Sequence, residues 1–576
     1  SIGQTHPLLA LTITDSGGVD FYSTVSASTV TITDTTGTVN FYNSLTAGAL
    51  TAAANPYNIA IYEGATVTNN VAFLNSGNLI LGDGGDILNF TNGVTATAPA
   101  SVTIGGAIRT EAGEIRIGDA GTGVTLATAS TLDSTNNSDP DHLAGANITT
   151  GAITGAANAL TINAGTGGAV SMTTITGGGA FTMTNNATAT ISGNIGVTSL
   201  THNGGTTALQ GAVNTASADL TVNGGTLNIG TGDFTVTGNT NVTAGTLRVG
   251  DSATSGLVTT NLSVSVGATL YAETFAEFAL SGNWSTLGTF TREADPICFA
   301  QITFTGGSDQ TLDPGTNGDI CFITHTGTGA LKLINHDMNV FGVINNSAGA
   351  GAFDVSDSGR TRIITFSWSL INDSTIIPGT AEWRYNGAGN NTLETNGSSL
   401  YQFTVTPNPV GKITLTEPLT VIDDFNLEGG TFDTDSFAIN IGGDFTNEAI
   451  FIADAGTVTF NGSGDQYIIS GSGVTTTWNQ VTVNGRADGE VVFSGNHTIP
   501  TFSHNVTGGD TYDLGFADGT INFNNADVII FTNTGFLALG ANATDVISFN
   551  KGISVDSPSI VYLGGTISTA DTALNN

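Results

Sequence analysis

From Gly145 onward small turn residues return at multiples of twenty: Gly145, Gly165, Gly205, Gly225 and Gly245, with Asn185 in the vacant step and Gly267 two residues late. The text around the best copies repeats as well: Gly225-Thr-Leu-Asn-Ile229, Gly245-Thr-Leu-Arg-Val249 and, slightly expanded, Gly267-Ala-Thr-Leu-Tyr271. A fixed period near twenty, built of short alternating Val, Ile, Leu and Thr runs, buries its apolar side chains by stacking one repeat on the next. It predicts an all-β chain folded as an elongated β-solenoid (β-helix) with coils of about 20 residues. Identical register forces identical surroundings, so Leu227 should stack inward on Leu247, and Ile229 beside Val249.

Composition fits order of this kind. Only 10% of the 576 residues are charged and 78 are Gly, against about 25% charged and 7% Gly in ordinary globular chains. Disordered chains can be as rich in Gly and Asn, but they lack regularly spaced Val, Ile, Leu and Phe. Eleven Lys and Arg against 47 Asp and Glu give a net charge of −36. That balance excludes nucleic acid as a partner, because displacing phosphate counterions needs clustered bases, and it disfavours an anionic membrane surface. No apolar run reaches the length of a membrane-spanning helix, so membrane insertion is not expected. The sequence opens at Ser1 without a basic-then-apolar leader, which fits a secreted product already processed. Scarce Lys, Cys and Met with abundant Thr, Asn, Gly and Ala is similar to secreted prokaryotic surface proteins, surface-layer proteins included. The expected location is therefore secreted, extracellular or at the cell surface.

Three regions differ in texture. Residues 1–130 are short strands and turns, in which Val19-Asp-Phe-Tyr22 and Val39-Asn-Phe-Tyr42 lie twenty apart. Residues 131–280 carry the regular twenty-residue period. Residues 281–576 form longer, aromatic-containing repeats that begin near 304, 385 and 460. There Phe304, Tyr385 and Phe460 each open a Gly-rich turn, with Phe322, Phe403 and Trp478 eighteen residues on. Recurrence in step with turns marks these rings as a stacked core ladder; the functional alternative is a carbohydrate platform. A β-sandwich is the architectural alternative for this region, although 75 to 81 residues is short for one. Helical periodicity is nearly absent, and the one helix-tolerant stretch is Tyr271–Phe278. At twenty residues per coil the chain would make roughly 28 coils.

These features resemble the repetitive β-solenoid surface proteins of bacteria, the filamentous-haemagglutinin-like adhesins and autotransporter passengers. The text that carries the resemblance is Gly225-Thr-Leu-Asn-Ile229 with its copies, and units of the Val458-Thr-Phe-Asn-Gly462 kind. The likeness is architectural and implies a rod displayed outside the cell.

Calcium is the one cofactor with candidate ligands. Leu81-Gly-Asp-Gly-Gly-Asp-Ile-Leu-Asn89 meets most of the calcium-binding nonapeptide of β-helices, through Asp83 and Asp86, but occurs once, whereas that motif shares each ion between tandem turns. Asp133, Asn137, Asp139 and Asp141 gather oxygen donors within nine residues without EF-hand spacing. A plain turn and a solvated loop of Asx turns are the structural alternatives. Catalytic signals are weaker still. Asp423-Asp424 is the only adjacent acidic pair, and equivalent repeats hold no acid there. The seven histidines are scattered, and no nucleophile–base arrangement can be assembled. The chain reads as a non-enzyme.

The leading expectation is a structural subunit of an extracellular, self-assembling filament, sheath or surface layer, whose partners are other copies of itself. A cell-surface adhesin that binds glycans or cells is the runner-up, and a polysaccharide-processing β-helix comes third. Two structural expectations accompany it. Cys298 and Cys321, 23 residues apart, lie close to one coil apart and should form a disulfide. The uncharged strand containing Leu8, Leu9, Leu11 and Ile13 should serve assembly, by coil-on-coil stacking or by pairing into a neighbour's sheet.

Overall fold

The computed structural model describes residues 1–3, 5–250, 255–293, 299–356, 360–406, 411–505 and 511–570. Among them strand is almost the only regular element; a single short 3₁₀ turn covers Pro140–His142. The stretch that tolerates helix in sequence instead holds the strand Thr269–Ala272, a turn, and the strand Glu277–Leu280. The chain forms two compact units, Ser1–Ala300 and Gln301–Asn576. Both are β-solenoids with parallel pairing between successive coils, together about 26 turns of about 21 residues.

The best-formed coils of the first unit show how the sequence writes the fold. One coil contributes Asp233–Val236, Thr240–Val242 and Thr246–Val249, three strands separated by three-residue corners. Each strand pairs in parallel with its counterpart one coil earlier: Val213 with Asp233, Leu220 with Thr240, Thr226 with Thr246. Backbone donors and acceptors are thus satisfied between coils, not within them. Along each strand the side chains alternate between core and solvent. Leu227 and Leu247 are fully buried and directly paired, as are Ile229 and Val249.

The glycines explain the period. Gly145, Gly165, Gly205, Gly225, Gly245 and Gly267 all adopt positive φ. A Cβ on Gly225 would also lie 2.1 Å from the carbonyl oxygen of Gly205 in the coil before. Glycine is required twice over there, for conformation and for space. Asn185, by contrast, ends the strand Ile175–Asn185, and the neighbouring coil shortens so that Thr188 pairs with Thr206. Coil length is therefore not fixed. Leu132 pairs with Ile162 around an inserted loop, and Met338 with Ile364. Such insertions lengthen the mean coil and lower the number of turns below the sequence expectation.

The outward positions repeat as faithfully as the inward ones. On one wall Thr188, Thr206, Thr226, Thr246, Thr269 and Thr289 pair in an unbroken row over six strands. On another, Thr131, Thr161, Thr182, Thr201 and Thr221 do the same.

The second unit is solenoid too. Trp383, Phe403, Phe425, Phe445 and Ile468 succeed one another up a single parallel wall. The aromatic repeats beginning near 304, 385 and 460 do not recur at equivalent places, however. The strands Gln301–Phe304, Glu382–Tyr385 and Thr457–Phe460 belong to three different sheets. Their spacing is not a whole number of coils, so each copy lands on another wall. The core reading holds for five of the six rings, since Phe304, Tyr385, Phe460, Phe403 and Trp478 are buried. Phe322 is the exception. It starts the strand Phe322–His325, whose inward residues are Ile323 and His325. A one-residue slip of register turns every side chain over, and Phe322 instead meets Trp368 edge-to-face on the outside, with ring centroids 5.3 Å apart.

Candidate functional site

The loop after the strand Gly123–Asp133 gathers several oxygen donors. Asp133 is buried, yet its carboxylate faces donors rather than a cation-sized space. Oδ1 accepts from the Thr135 amide at 2.9 Å and the Thr135 hydroxyl at 2.6 Å, and Oδ2 accepts from the Asn137 amide at 2.6 Å. Asn136, Asn137 and Ser138 take consecutive left-handed conformations; the Asn137 amide reaches Asp133, whereas the Ser138 amide donates to the Thr135 hydroxyl at 3.0 Å. Asn137 turns its amide oxygen to Arg109 at 3.3 Å, while Asp139 accepts from the Asp141 amide at 3.0 Å and caps the 3₁₀ turn. Asp141 itself is exposed. The four candidate ligands are thus spread along the loop and do not converge.

At the Gly-rich turn, Asp86 Oδ2 accepts from the amides of Asp83 and Gly84 at 3.1 and 3.0 Å, and Asp83 points to solvent. Asp86 thus closes the turn by accepting from two amides that precede it in the chain. Among the described residues no group of three or more His, Cys, Asp or Glu side chains is placed to hold a metal ion. Replacing Asp133 by Ala should therefore destabilise the first unit by about 1–3 kcal/mol, through lost charge-assisted bonds to backbone amides. Melts with calcium and with chelator should show the same loss; a loss confined to calcium-containing buffer would return the loop to ion binding.

Asp424 of the acidic pair also braces a turn. Asp424 Oδ1 accepts from the Asp444 amide at 2.8 Å. Burial, with Asp423 and Asp444 nearby, holds the Asp424 carboxyl above its ordinary range. The strand Leu11–Ile13, together with Leu8, pairs with residues 27–32 of its own chain: Leu8 with Ala27, Leu11 with Val30, Ile13 with Ile32. Ile13 is buried, whereas Leu9 is 85% exposed. Cys321 is buried; its expected partner Cys298 lies outside the described residues.

Three histidines are enclosed and a fourth, His504, is half-buried; all four are bonded to neighbouring segments. His202 spans the Gly224 carbonyl at 2.9 Å and the Thr207 hydroxyl at 3.0 Å. His325 reaches Asn346, and His504 reaches Tyr512 and the Ile530 carbonyl. His497 accepts from the Trp478 indole N–H at 3.4 Å and bonds the Ser494 carbonyl at 2.9 Å. Burial lowers the pKa of all four, that of His497 to about 4.

One surface feature escaped the sequence reading. Tyr22, Tyr42 and Tyr62 stack outside the solenoid with ring centroids 4.9 and 5.0 Å apart and planes within 7° of parallel. The signal was present in Val19-Asp-Phe-Tyr22 and Val39-Asn-Phe-Tyr42. If alternation sends Phe21 and Phe41 inward, the tyrosines that follow must point out. Comparison with known proteins adds no relative: no family model, curated protein or solved structure matches the chain.

Proposed function

We propose that the chain is a structural subunit of an extracellular filament, sheath or surface layer assembled from copies of itself. The observation that carries this reading is where the chemically capable side chains have gone. Asp133, Asp86 and Asp424 brace turns, the enclosed histidines tie one coil to another, and five of six repeat aromatics fill the core. These side chains are spent on the scaffold, while the surface offers rows of one residue type repeated coil after coil. A repeating surface is what a repeating assembly needs.

The stacked tyrosines favour a second reading, an adhesin. Tyr22 is 73% exposed, and an outer aromatic ladder is a locus where sugar rings can pack. The resemblance to filamentous-haemagglutinin-like proteins and autotransporter passengers supports this alternative.

Negative-stain microscopy of the native preparation decides between them. Assembly predicts long, regular objects that grow with concentration. Dispersed single particles at every concentration, together with glycan binding lost in Tyr22→Ala, would replace the subunit with the adhesin.

A further inference from the structure

We infer that two copies meet side by side on one wall of the first unit, the parallel sheet that runs through Ala169–Met172, Thr188–Ile191, Thr206–Leu209 and Thr226–Ile229. This rests on the self-assembly reading and says where the contact lies.

The first observation is electrostatic. The chain carries a net charge of −36 and 10% of its residues are charged, so ninety residues should hold about nine charges; the ninety from Leu143 to Gly232 hold one, Asp219. The only histidine in that span, His202, is buried and bonded through both ring nitrogens. Two copies of so acidic a chain repel over most of their surfaces. Contact costs least where neither copy brings charge.

The second observation is register. Along this wall the outward row runs Thr149, Ser171, Thr190, Ala208, Asn228, each paired with the next. The same row continues to Arg116 on one side and Arg248 on the other. Five uncharged rungs are thus bracketed by two charged ones. Beside them runs the threonine row from Thr188 to Thr226. Two parallel rows of short side chains make a shallow, even surface, and β-branched threonine has few rotamers to lose on contact.

The spacing selects the partner. Rungs repeat at the interstrand distance of about 4.8 Å. A second stack of parallel strands has that same rise, so every rung of one copy can face a rung of the other. Because the same patch serves both partners, the contact is isologous and closes as a pair; such pairs are the unit from which a filament or layer would grow through a second contact elsewhere. Thr188, Ser171, Thr190 and Thr206 are all exposed and available for it.

Sedimentation velocity over a concentration series tests this with two opposed variants, Thr188→Asp/Ala208→Asp and Thr188→Lys/Ala208→Lys. Wild type should associate. Each variant alone should associate on the order of tenfold or more weakly, since like charges meet across the interface. An equimolar mixture should recover association, which also shows that both variants are folded. Wild-type association that both variants retain unchanged would overturn this interface and leave assembly standing. Weakened variants whose mixture stays dissociated would also overturn it. A wild type that is monomeric throughout would remove the assembly reading itself.

Discussion

Leu227→Asp should destabilise the first unit by at least about 4 kcal/mol, whereas Thr226→Asp next to it should cost no more than about 1 kcal/mol. The two residues are neighbours in the same strand, so propensity and position barely differ. What differs is the side of the sheet. Leu227 is fully buried against Leu247, and Asp there would lose the packed apolar group and enclose an unpaired charge. Thr226 faces out in the threonine row and is only part-buried. In a stacked-coil protein each repeat touches only its neighbours, so the damage should stay local. Hydrogen exchange should rise first in residues 206–249 of the leucine variant, before the second unit loses protection. Equal, small effects of the two substitutions would contradict the twenty-residue coil.

Acidification should weaken the second unit steeply between pH 6.5 and 4. His497 is enclosed beside Trp478 and Phe493, and burial lowers its pKa from 6.5 to about 4. Its bonds require the neutral ring: Nε2–H donates to the Ser494 carbonyl while Nδ1 accepts from the Trp478 indole. A proton added at Nδ1 would face that indole N–H. The unfolded chain takes its proton near pH 6.5, and the folded chain only near 4. The stabilisation is therefore complete above pH 6.5 and lost as pH falls through that window, by about 3 kcal/mol for this residue. His504, also in the second unit and also lowered by burial, adds to the same slope. Denaturation midpoints across this range are the measurement. His497→Gln should flatten the profile even if its stability at neutral pH is lower; an unchanged slope in that variant would place the acid sensitivity elsewhere.

The architecture was legible because two periods reinforce each other, alternation along the strand and twenty residues around the coil. Gly225 and Gly245 mark corners that no other residue fills without strain or collision, and Leu227 and Leu247 follow in step. Legibility faded where one period held and the other slipped. Phe322 kept its eighteen-residue distance from Phe304 but fell one place out in the pleat, so it lies outside. Tyr385 and Phe460 align in text with Phe304, yet coils of changing length carry them to different sheets. The loop at Asp133 is a different case. Composition shows its oxygen donors, but whether a carboxylate meets a cation or an amide depends on backbone conformation, and here the amides of Thr135 and Asn137 reach Asp133. The threonine rows were visible letter by letter as single alternations; that they form continuous walls follows only from pairing between coils.

The most direct test of the whole account is electron cryomicroscopy of the assembled material at a resolution that separates adjacent strands. The expected map shows parallel coils with Thr226 beside Thr246 on the outer surface, and neighbouring copies in contact along the uncharged wall between Arg116 and Arg248. Copies joined through other surfaces would contradict the interface. Particles that never associate would contradict the proposed role.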